Sequence, residues 1–310
     1  MNLDDEISEF IRINEQMFPD NGMALNIEQQ RKHYDVLAAS FNFPYPDGIE
    51  SEDVVVTGNN GDIPMRIYRH KTGDSKPTLV YLHGGGWILG GLESHDSIVA
   101  EIASRSGVNA VSVDYRLAPE HRYPAAFDDA YDAICYLKIN GAEFGLNTER
   151  LAVAGDSAGG NLATACCLRT RDEDGPNICA QILIYPALAP ELNLQSHDEQ
   201  ANAPLGTKDD MLYYYQEYFG KLPPYNDAFA MPLAADDFSD LPPAFVLSAE
   251  YDVLRDDAKF YAQKLKQVGV SCNYVEGNGL IHGFLRARRM SGKAADAMTT
   301  ICDATRRLIV

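Results

Sequence analysis

The chain has 310 residues, enough for one large α/β core with insertions or for two domains. Its content of 45% hydrophobic and 23% charged residues is typical of an ordinary soluble globular protein. Lys and Arg number 26 against 45 Asp and Glu, and the formal net charge of −19 argues against nucleic acid and acidic membranes as partners.

The ends of the chain and its cysteines bear on where the protein is located. The first ten residues are acidic and lack an apolar stretch, so no export signal is predicted, and no apolar run is long enough to span a bilayer. The six cysteines form no C-x-x-C pair, which favours reduced thiols and a cytoplasmic location. The seven histidines include no H-E-x-x-H or comparable cluster, so no metal site is predicted.

Two amphipathic segments begin the chain. Their periodicity predicts helices over Asp4–Phe18 and Ile27–Ser40, and the aromatic, proline-rich segment F-N-F-P-Y-P-D-G ends them. We interpret residues 1–46 as an N-terminal helical cap segment that is added to a main domain over residues 47–310.

The pattern then becomes that of a sheet. Val54–Thr57 and Ile63–Tyr68 predict a hairpin around the turn 58–62. After Thr78, nearly continuous apolar strands alternate with segments of helical length and period, as expected for parallel strands that are buried on both faces. The predicted fold class is α/β, a mostly parallel twisted sheet with helices on both faces and ligands outside the carboxyl ends of the strands. The predicted strands are T-L-V-Y-L, V-N-A-V-S-V, R-L-A-V-A, A-Q-I-L-I-Y and P-A-F-V-L-S-A.

One insertion interrupts this alternation. Residues 186–240 lie between two predicted strands and contain proline-rich pieces and the aromatic helix K-D-D-M-L-Y-Y-Y-Q-E-Y-F. We interpret the insertion as a helical cap over the strand ends. Its aromatic residues are candidates for lining a pocket, although the spacing favours packing of the cap onto the main domain; these residues are Tyr213, Tyr214, Tyr215, Tyr218 and Phe219.

A sharp turn carries the first chemical signal. The segment Arg150–Gly160 reads R-L-A-V-A-G-D-S-A-G-G, a strand, a turn and a helix start with Ser157 at the apex. This pattern fits the nucleophile elbow G-x-S-x-G, in which strained backbone exposes the serine Oγ at the top of a sheet. The next helix begins with unpaired N–H groups, so the Ala158 N–H is a candidate oxyanion donor. A buried turn of small residues is the alternative.

A glycine run carries the second signal. His83-Gly84-Gly85-Gly86-Trp87 follows the third strand directly. Consecutive glycines let backbone N–H groups approach a ligand without obstruction from side chains, as an oxyanion hole requires. The alternative is a flexible turn, but H-G-G-G at this distance before a G-x-S-x-G elbow is the arrangement of lipases and esterases. His83 is predicted to be structural, because the base follows the nucleophile in that arrangement.

The acid and the base are expected after the nucleophile, in the order Ser, Asp or Glu, His. Asp252 follows the strand P-A-F-V-L-S-A, and His282 follows the strand-like run Cys272–Glu276 within the glycine-containing loop G-N-G-L-I-H-G-F. Both residues are therefore expected on the same rim of the sheet as Ser157. This order excludes a trypsin-like interpretation of G-D-S, which requires His and Asp before Ser on an all-β chain.

Taken together, these motifs resemble the hormone-sensitive-lipase-like esterases of the α/β-hydrolase superfamily, especially bacterial acetyl esterases. The likeness extends from about Val54 to the C-terminus. This chain has Asp252-Val253-Leu254 where the family commonly has D-P-L. The matching segments are H-G-G-G-W at 83–87, D-Y-R-L-A-P-E-H-R-Y-P-A-A at 114–126, G-D-S-A-G-G at 155–160, D-V-L-R-D at 252–256 and H-G-F at 282–284.

The resemblance implies an α/β-hydrolase fold and a role for each site residue. Ser157 would be the nucleophile, His282 the general base and acid, and Asp252 the residue that orients His282. The implied oxyanion hole consists of Gly84, Gly85, Gly86 and Ala158, of which Gly84 supports the loop and the others donate.

The expected reaction is hydrolysis of short-chain acyl esters through an acyl-enzyme intermediate, without a cofactor. Trp87 and Tyr185 are the predicted substrate-binding residues, because bulky side chains near Ser157 would close the acyl side of the pocket. The alternative for Trp87 is that it packs away from the site. Two other functions remain, an amidase or peptidase on the same fold and a non-catalytic receptor of the same family. The sequence leaves the oligomeric state open, a homodimer included.

Overall fold

The computed structural model describes residues 1, 3–17, 25–73 and 75–310. Its framework is one eight-stranded sheet. The strands are β1 (Ile49–Gly58), β2 (Gly61–His70), β3 (Pro77–Leu82), β4 (Asn109–Val113), β5 (Asn147–Asp156), β6 (Gln181–Ile184), β7 (Ala244–Tyr251) and β8 (Cys272–Ile281). The helices are α1 (Asp5–Met17), α2 (Ile27–Ser40), α3 (Leu92–Ser106), α4 (Ala125–Asn140), α5 (Ala158–Asp172), α6 (Gln195–Glu199), α7 (Lys208–Phe219), α8 (Arg255–Gln267) and α9 (Gly292–Ile309).

The sheet is mostly parallel. Its strand order is β1-β2-β4-β3-β5-β6-β7-β8, and all pairs from β4 to β8 are parallel, whereas β1 and β2 join in antiparallel fashion. The side chains of β3 alternate between the two faces, because Val80 and Leu82 enter one buried cluster and Leu79 and Tyr81 enter the other. Helices α4, α5 and α8 cover the first face, and α3 and α9 cover the second. The predicted fold class is therefore confirmed.

The predicted hairpin is present but longer and tighter than expected. Gly58 pairs with Gly61, so only Asn59 and Asn60 form the turn, and the strands extend to Ile49 and His70. A two-residue loop matches the twist of paired strands. The apolar pattern missed most of β1 because this edge strand exposes much of its length and therefore carries polar residues.

The N-terminal helices lie on the main domain. Ile7 and Phe10 of α1 are buried in the same cluster as α3 and α9. Helix α2 begins with a capping box, in which Asn26 and Gln29 each bond the other's backbone N–H. The structure describes α1 as far as Met17, and the predicted helix end at Phe18 lies outside the described residues.

The insertion between β6 and β7 contains α6, α7 and the short 3-10 turn Pro232–Ala234. Helix α7 has the bounds of the predicted aromatic helix. Thr207 caps its first turn by accepting from the Asp210 N–H, and Gly220 ends it in the left-handed conformation with φ of 70°.

The segment before His282 differs from the expected loop. Strand β8 continues through residues 277–281, pairing there with the end of β7 across a register shift. A Cβ atom on Gly277 would lie 2.8 Å from the Leu280 side chain and 3.0 Å from the Ser248 carbonyl oxygen. The glycine therefore permits close approach of two strands, which a sequence pattern does not distinguish from a loop.

Candidate active site

The structure brings Ser157, His282 and Asp252 together at the carboxyl ends of β5, β7 and β8. The His282 Nε2 atom lies 3.0 Å from Ser157 Oγ, and its Nδ1 atom lies 2.8 Å from Asp252 Oδ2. A serine hydroxyl is activated when it is hydrogen-bonded to a base that is in turn hydrogen-bonded to an orienting acid.

Ser157 occupies strained backbone, with φ of 54° and ψ of −119°. Two hydrogen bonds hold this conformation: the Ser157 N–H donates to the Ile184 carbonyl, and its carbonyl accepts from the Ala187 N–H. Packing requires glycine at positions 155 and 159. A Cβ atom on Gly155 would overlap the backbone of Gly159, and a Cβ atom on Gly159 would overlap the backbone of Leu82 and His83. The surrounding contacts therefore maintain an unfavourable turn that exposes Oγ.

Asp252 is the acid that reaches the histidine. It is buried, and its second carboxylate oxygen accepts from the Leu254 N–H at 2.9 Å. The neighbouring carboxylates are engaged elsewhere, because Glu250 accepts from the Gly279 N–H and Asp256 accepts from the Ser196 N–H.

The surroundings of His282 act on its pKa in opposite directions. Burial lowers the pKa of the imidazole, but the charge of Asp252 and the hydrogen bond to it outweigh burial, and the pKa is raised above its ordinary value. The Asp252 carboxylate therefore favours the imidazolium that forms when His282 takes a proton.

The glycine loop approaches Ser157 from β3. Gly85 and Gly86 have φ of 130° and 60°, and both line the cavity next to Ser157. The Gly84 N–H donates to Asp156 Oδ1 at 3.0 Å, so it supports the loop and is not available to a substrate. Ala158 is the first residue of α5, where backbone N–H groups lack intrahelical partners.

Asp156 is a site residue that sequence reasoning missed. Its buried carboxylate accepts from the Tyr81 hydroxyl at 2.8 Å and lies 3.3 Å from His95 Nε2, in addition to its bond with Gly84. Burial raises the pKa of Asp156, but His95 and the Tyr81 hydrogen bond outweigh it, and the pKa lies well below the usual range. Its partners come from β3 and α3, far away in sequence, so no local motif indicates this role.

A cavity of about 510 Å³ lies against Ser157 and His282. Tyr185 lines it, and its ring lies 4.7 Å from the His282 ring. Helices α1, α2 and α7 also line the cavity, and of the aromatic candidates in α7 the cavity lining contains Tyr214. The sequence did not indicate the other wall residues, which include Phe10, Asn14, Glu15, Tyr34, Leu37, Asp210 and Met211.

Trp87 does not lie among the described residues that line this cavity. It is 1% exposed, and its ring stacks on Tyr218 at 4.7 Å with an interplanar angle of 3°. The predicted substrate-binding role of Trp87 is therefore corrected to packing of α7 on the main domain. Tyr214 of α7 covers the glycine loop instead. Its ring occupies the place where a Cβ atom on Gly86 would be.

His83 has the structural role that its position predicted. It is buried, its ring stacks on Tyr115 at 4.3 Å, and burial lowers its pKa to about 3. The segment 114–126 therefore supports the glycine loop from below through Tyr115, whose hydroxyl donates to the His83 carbonyl.

The described residues offer neither a membrane-spanning helix nor a cluster of metal ligands. In the described part of the chain, no helix has the length and apolar character needed to cross a membrane. The same residues contain no group of three or more His, Cys, Asp or Glu side chains that could hold a metal ion.

Known proteins resemble this chain over most of its length. A family described as having the alpha/beta hydrolase fold matches residues 79–286. Carboxylesterase NlhH of Mycobacterium tuberculosis is 41% identical over 241 residues, 76% of this chain and 75% of the relative. An acetyl esterase of Salmonella paratyphi B is 31% identical over 298 residues, 96% of this chain and 92% of the relative.

The fold is also that of a solved esterase. A hyperthermophilic esterase from the archaeon Pyrobaculum calidifontis superposes with a TM-score of 0.92 and 35% identity, over 99% of both chains. The chain belongs to the alpha/beta hydrolase family, and its resemblance to the hormone-sensitive-lipase-like esterases is confirmed.

The geometry distinguishes Asp252, which bonds His282, from the nearby Glu250, which does not. We expect Asp252→Asn to lower kcat by about ten-thousandfold, because the amide holds the wrong tautomer of His282. Glu250→Gln is the matched control, two residues away and bonded to Gly279, and should change kcat less than about tenfold. Steady-state kinetics on a neutral ester measures both, and a larger loss in the Glu250 variant would move the acid to that residue.

Proposed function

We propose that the protein is a serine carboxylesterase that hydrolyses short-chain acyl esters. The observation that carries this proposal is the hydrogen-bonded chain from Asp252 through His282 to Ser157, which ends in a cavity beside Gly85 and Gly86. The carboxylesterase and acetyl esterase among its relatives support the same reaction class.

The mechanism uses the two nitrogen atoms of one imidazole. His282 donates through Nδ1 to Asp252 and accepts the Ser157 proton at Nε2, so that Oγ attacks the ester carbonyl. The negative oxygen of the tetrahedral intermediate receives hydrogen bonds from the N–H groups of Gly85, Gly86 and Ala158. The proton on Nε2 then passes to the leaving alcohol, and an acyl group remains on Oγ. Water enters and repeats these steps, which releases the acid and restores Ser157.

The catalytic domain is proposed to span residues 47–310, and its cap insertion, residues 186–240, is proposed to form one cap together with residues 1–46. Side chains of both segments line the cavity that contains Ser157, among them Tyr34 from α2 and Met211 from α7. They also bond each other, since Gln30 Nε2 donates to the Tyr213 hydroxyl at 2.7 Å. The cap therefore determines which esters reach the nucleophile.

The two rival functions differ from the proposed one in measurable ways. A non-catalytic receptor needs no active base, whereas His282 lies within hydrogen-bond distance of Ser157 here. An amidase or peptidase would use the same triad, so it is separated from an esterase by relative turnover of amides and esters.

The substrate is proposed to be a small-molecule ester, with neither nucleic acid nor membrane as partner and with a cytoplasmic location. The net charge of −19 and six free thiols support this environment. A homodimer is the assembly to be examined, by light scattering at several protein concentrations.

The nucleophile can be tested directly. We expect Ser157→Ala to lose ester hydrolysis by a factor of about a million and to lose labelling by a fluorophosphonate, because the triad acts as a unit. A wild-type comparison of matched ester and amide substrates then separates esterase from amidase. Folded Ser157→Ala that keeps more than about a hundredth of the wild-type activity contradicts the proposal.

The pH dependence follows from the raised pKa of His282. A base must be neutral to accept a proton, so kcat/KM should fall as the pH decreases through that pKa, with a midpoint above about 6.5. Asp252→Asn should move the midpoint to lower pH, because the charge that favours the imidazolium is removed. Rates on a neutral ester between about pH 4 and 9 give both midpoints, and a flat profile on the acid side argues against a histidine base.

The acyl preference is expected to be two to about six carbons, because an acetyl esterase is among the relatives and bulky side chains, Tyr185 and Tyr214, form part of the cavity wall. Tyr214→Ala should shift the preference to longer chains, since Tyr214 covers Gly86. Tyr213→Ala is the matched control on the same helix. Trp87→Ala should leave the preference unchanged and reduce the free energy of unfolding by about 3–5 kcal/mol.

The measurement is kcat/KM across nitrophenyl esters of increasing acyl length, combined with denaturant unfolding of each variant. A wild-type optimum at about ten carbons or more contradicts the short-acyl proposal. Equal shifts in the Tyr213 and Tyr214 variants would assign the effect to loss of the helix rather than to the pocket wall.

A further inference from the structure

An arginine lies in the cavity beside the triad. Arg286 belongs to the 3-10 turn Phe284–Arg289, which begins two residues after His282. Its side chain lines the same cavity as Ser157 and His282. The short turn therefore fixes a positive charge close to the reacting atoms.

Arg286 is held in place without a carboxylate at ion-pair distance, although the charge of Asp156 acts on it from farther away. Its Nη2 atom donates to the Tyr34 hydroxyl, and its guanidinium carbon lies 4.7 Å from the centre of the Tyr34 ring. Its Nε atom is buried and has no hydrogen-bond acceptor among the residues that the structure describes. Within the same residues no Asp or Glu lies at ion-pair distance, whereas Arg288 and Arg289 of the same turn pair with Glu101.

The carboxylates that line the cavity have other partners or face solvent. Asp156 accepts from Tyr81 and Gly84, and Asp210 accepts from the Thr207 N–H. Glu15 is exposed. Arg286 is thus a charged group of the cavity wall whose Nη1 donors bond none of the described residues.

We propose that Arg286 binds a carboxylate on the substrate, so that the pocket selects anionic esters such as half-esters of dicarboxylic acids. A guanidinium has five N–H donors in a planar fork that matches a carboxylate in bidentate geometry. Stacking on Tyr34 orients the fork before a ligand arrives, which reduces the entropy lost on binding. The carboxylate would accept from Nη1 and from the second N–H of Nη2, because Nε is shielded by burial.

This inference rests on the proposed ester hydrolysis and names its substrate class. The carboxylate can belong to the acyl part or to the alcohol part of the ester, and each arrangement has an uncharged counterpart of similar shape. Monomethyl glutarate and methyl pentanoate form the acyl pair. Butyryloxyacetate and propyl butyrate form the alcohol pair.

The experiment measures kcat/KM for all four esters by titration of the released acid at constant pH. Arg286→Met should lower the ratio of anionic to neutral kcat/KM by about tenfold to a hundredfold in one pair, because a charged hydrogen bond is lost. Arg286→Lys keeps a positive charge without the planar fork and should retain an intermediate ratio. Arg289→Met, on the same turn but outside the cavity lining, is the matched control and should leave both ratios unchanged.

The outcomes are distinguishable. A lower ratio in the acyl pair assigns the carboxylate to the acyl part, and one in the alcohol pair assigns it to the alcohol part. Ratios that stay within about twofold in both pairs overturn the inference but leave the esterase proposal in place. Equal losses on charged and neutral esters also overturn it, because they indicate a structural role for Arg286. Absence of wild-type turnover on all four esters contradicts both proposals.

Discussion

The buried carboxylate of Asp156 is the interaction on which the arrangement of the site depends. It precedes the nucleophile in the chain and binds the N–H of Gly84, the residue that precedes Gly85 in the glycine loop. A buried charge without partners would cost several kcal/mol, so the bonds from Tyr81 and Gly84 are needed to keep it ionised. The turn at Ser157 and the glycine loop are consequently fixed relative to each other, although Gly84 and Asp156 are 72 positions apart in the sequence.

Sequence reasoning predicted the parts of the site that depend on local pattern and chain order. The elbow and the glycine run are short motifs, and Asp252 and His282 follow strands in the order that the fold requires. Side-chain direction was less predictable. Trp87 and Tyr214 are both bulky aromatics near the glycine loop, and only the packing of α7 determines that Trp87 stacks inward on Tyr218 while Tyr214 lines the cavity.

Contacts between distant segments account for the remainder of what was not predicted. Asp156 meets partners from β3 and α3, and the cavity wall combines residues of α1, α2 and α7. Amphipathic periodicity identifies which face of such a helix is buried but not what it covers. The arrangement of Ser157, His282 and Asp252 is therefore indicated by motifs, whereas the shape of the adjoining cavity comes from tertiary packing of the two segments outside the sheet.

The acid loop illustrates how packing replaces a feature that a motif would supply. The family resemblance would place proline after the acid, where this chain has Val253. Here the Ser196 hydroxyl of α6 donates to the Val253 carbonyl at 2.7 Å, and the Asp256 N–H donates back to the same hydroxyl at 3.1 Å.

A second buried contact fixes the same loop to the insertion. His197 Nε2 lies 2.8 Å from Asp257 Oδ1, and the other oxygen of Asp257 accepts from the N–H groups of Leu188 and Ala189. Both members of this pair are fully buried, so their bonds are not weakened by competing water. Proline would restrict the loop by limiting backbone rotation, whereas these bonds restrict it by attachment to α6. The insertion that lines the cavity beside Ser157 thus also helps to hold the Asp252 carboxylate within hydrogen-bond distance of His282.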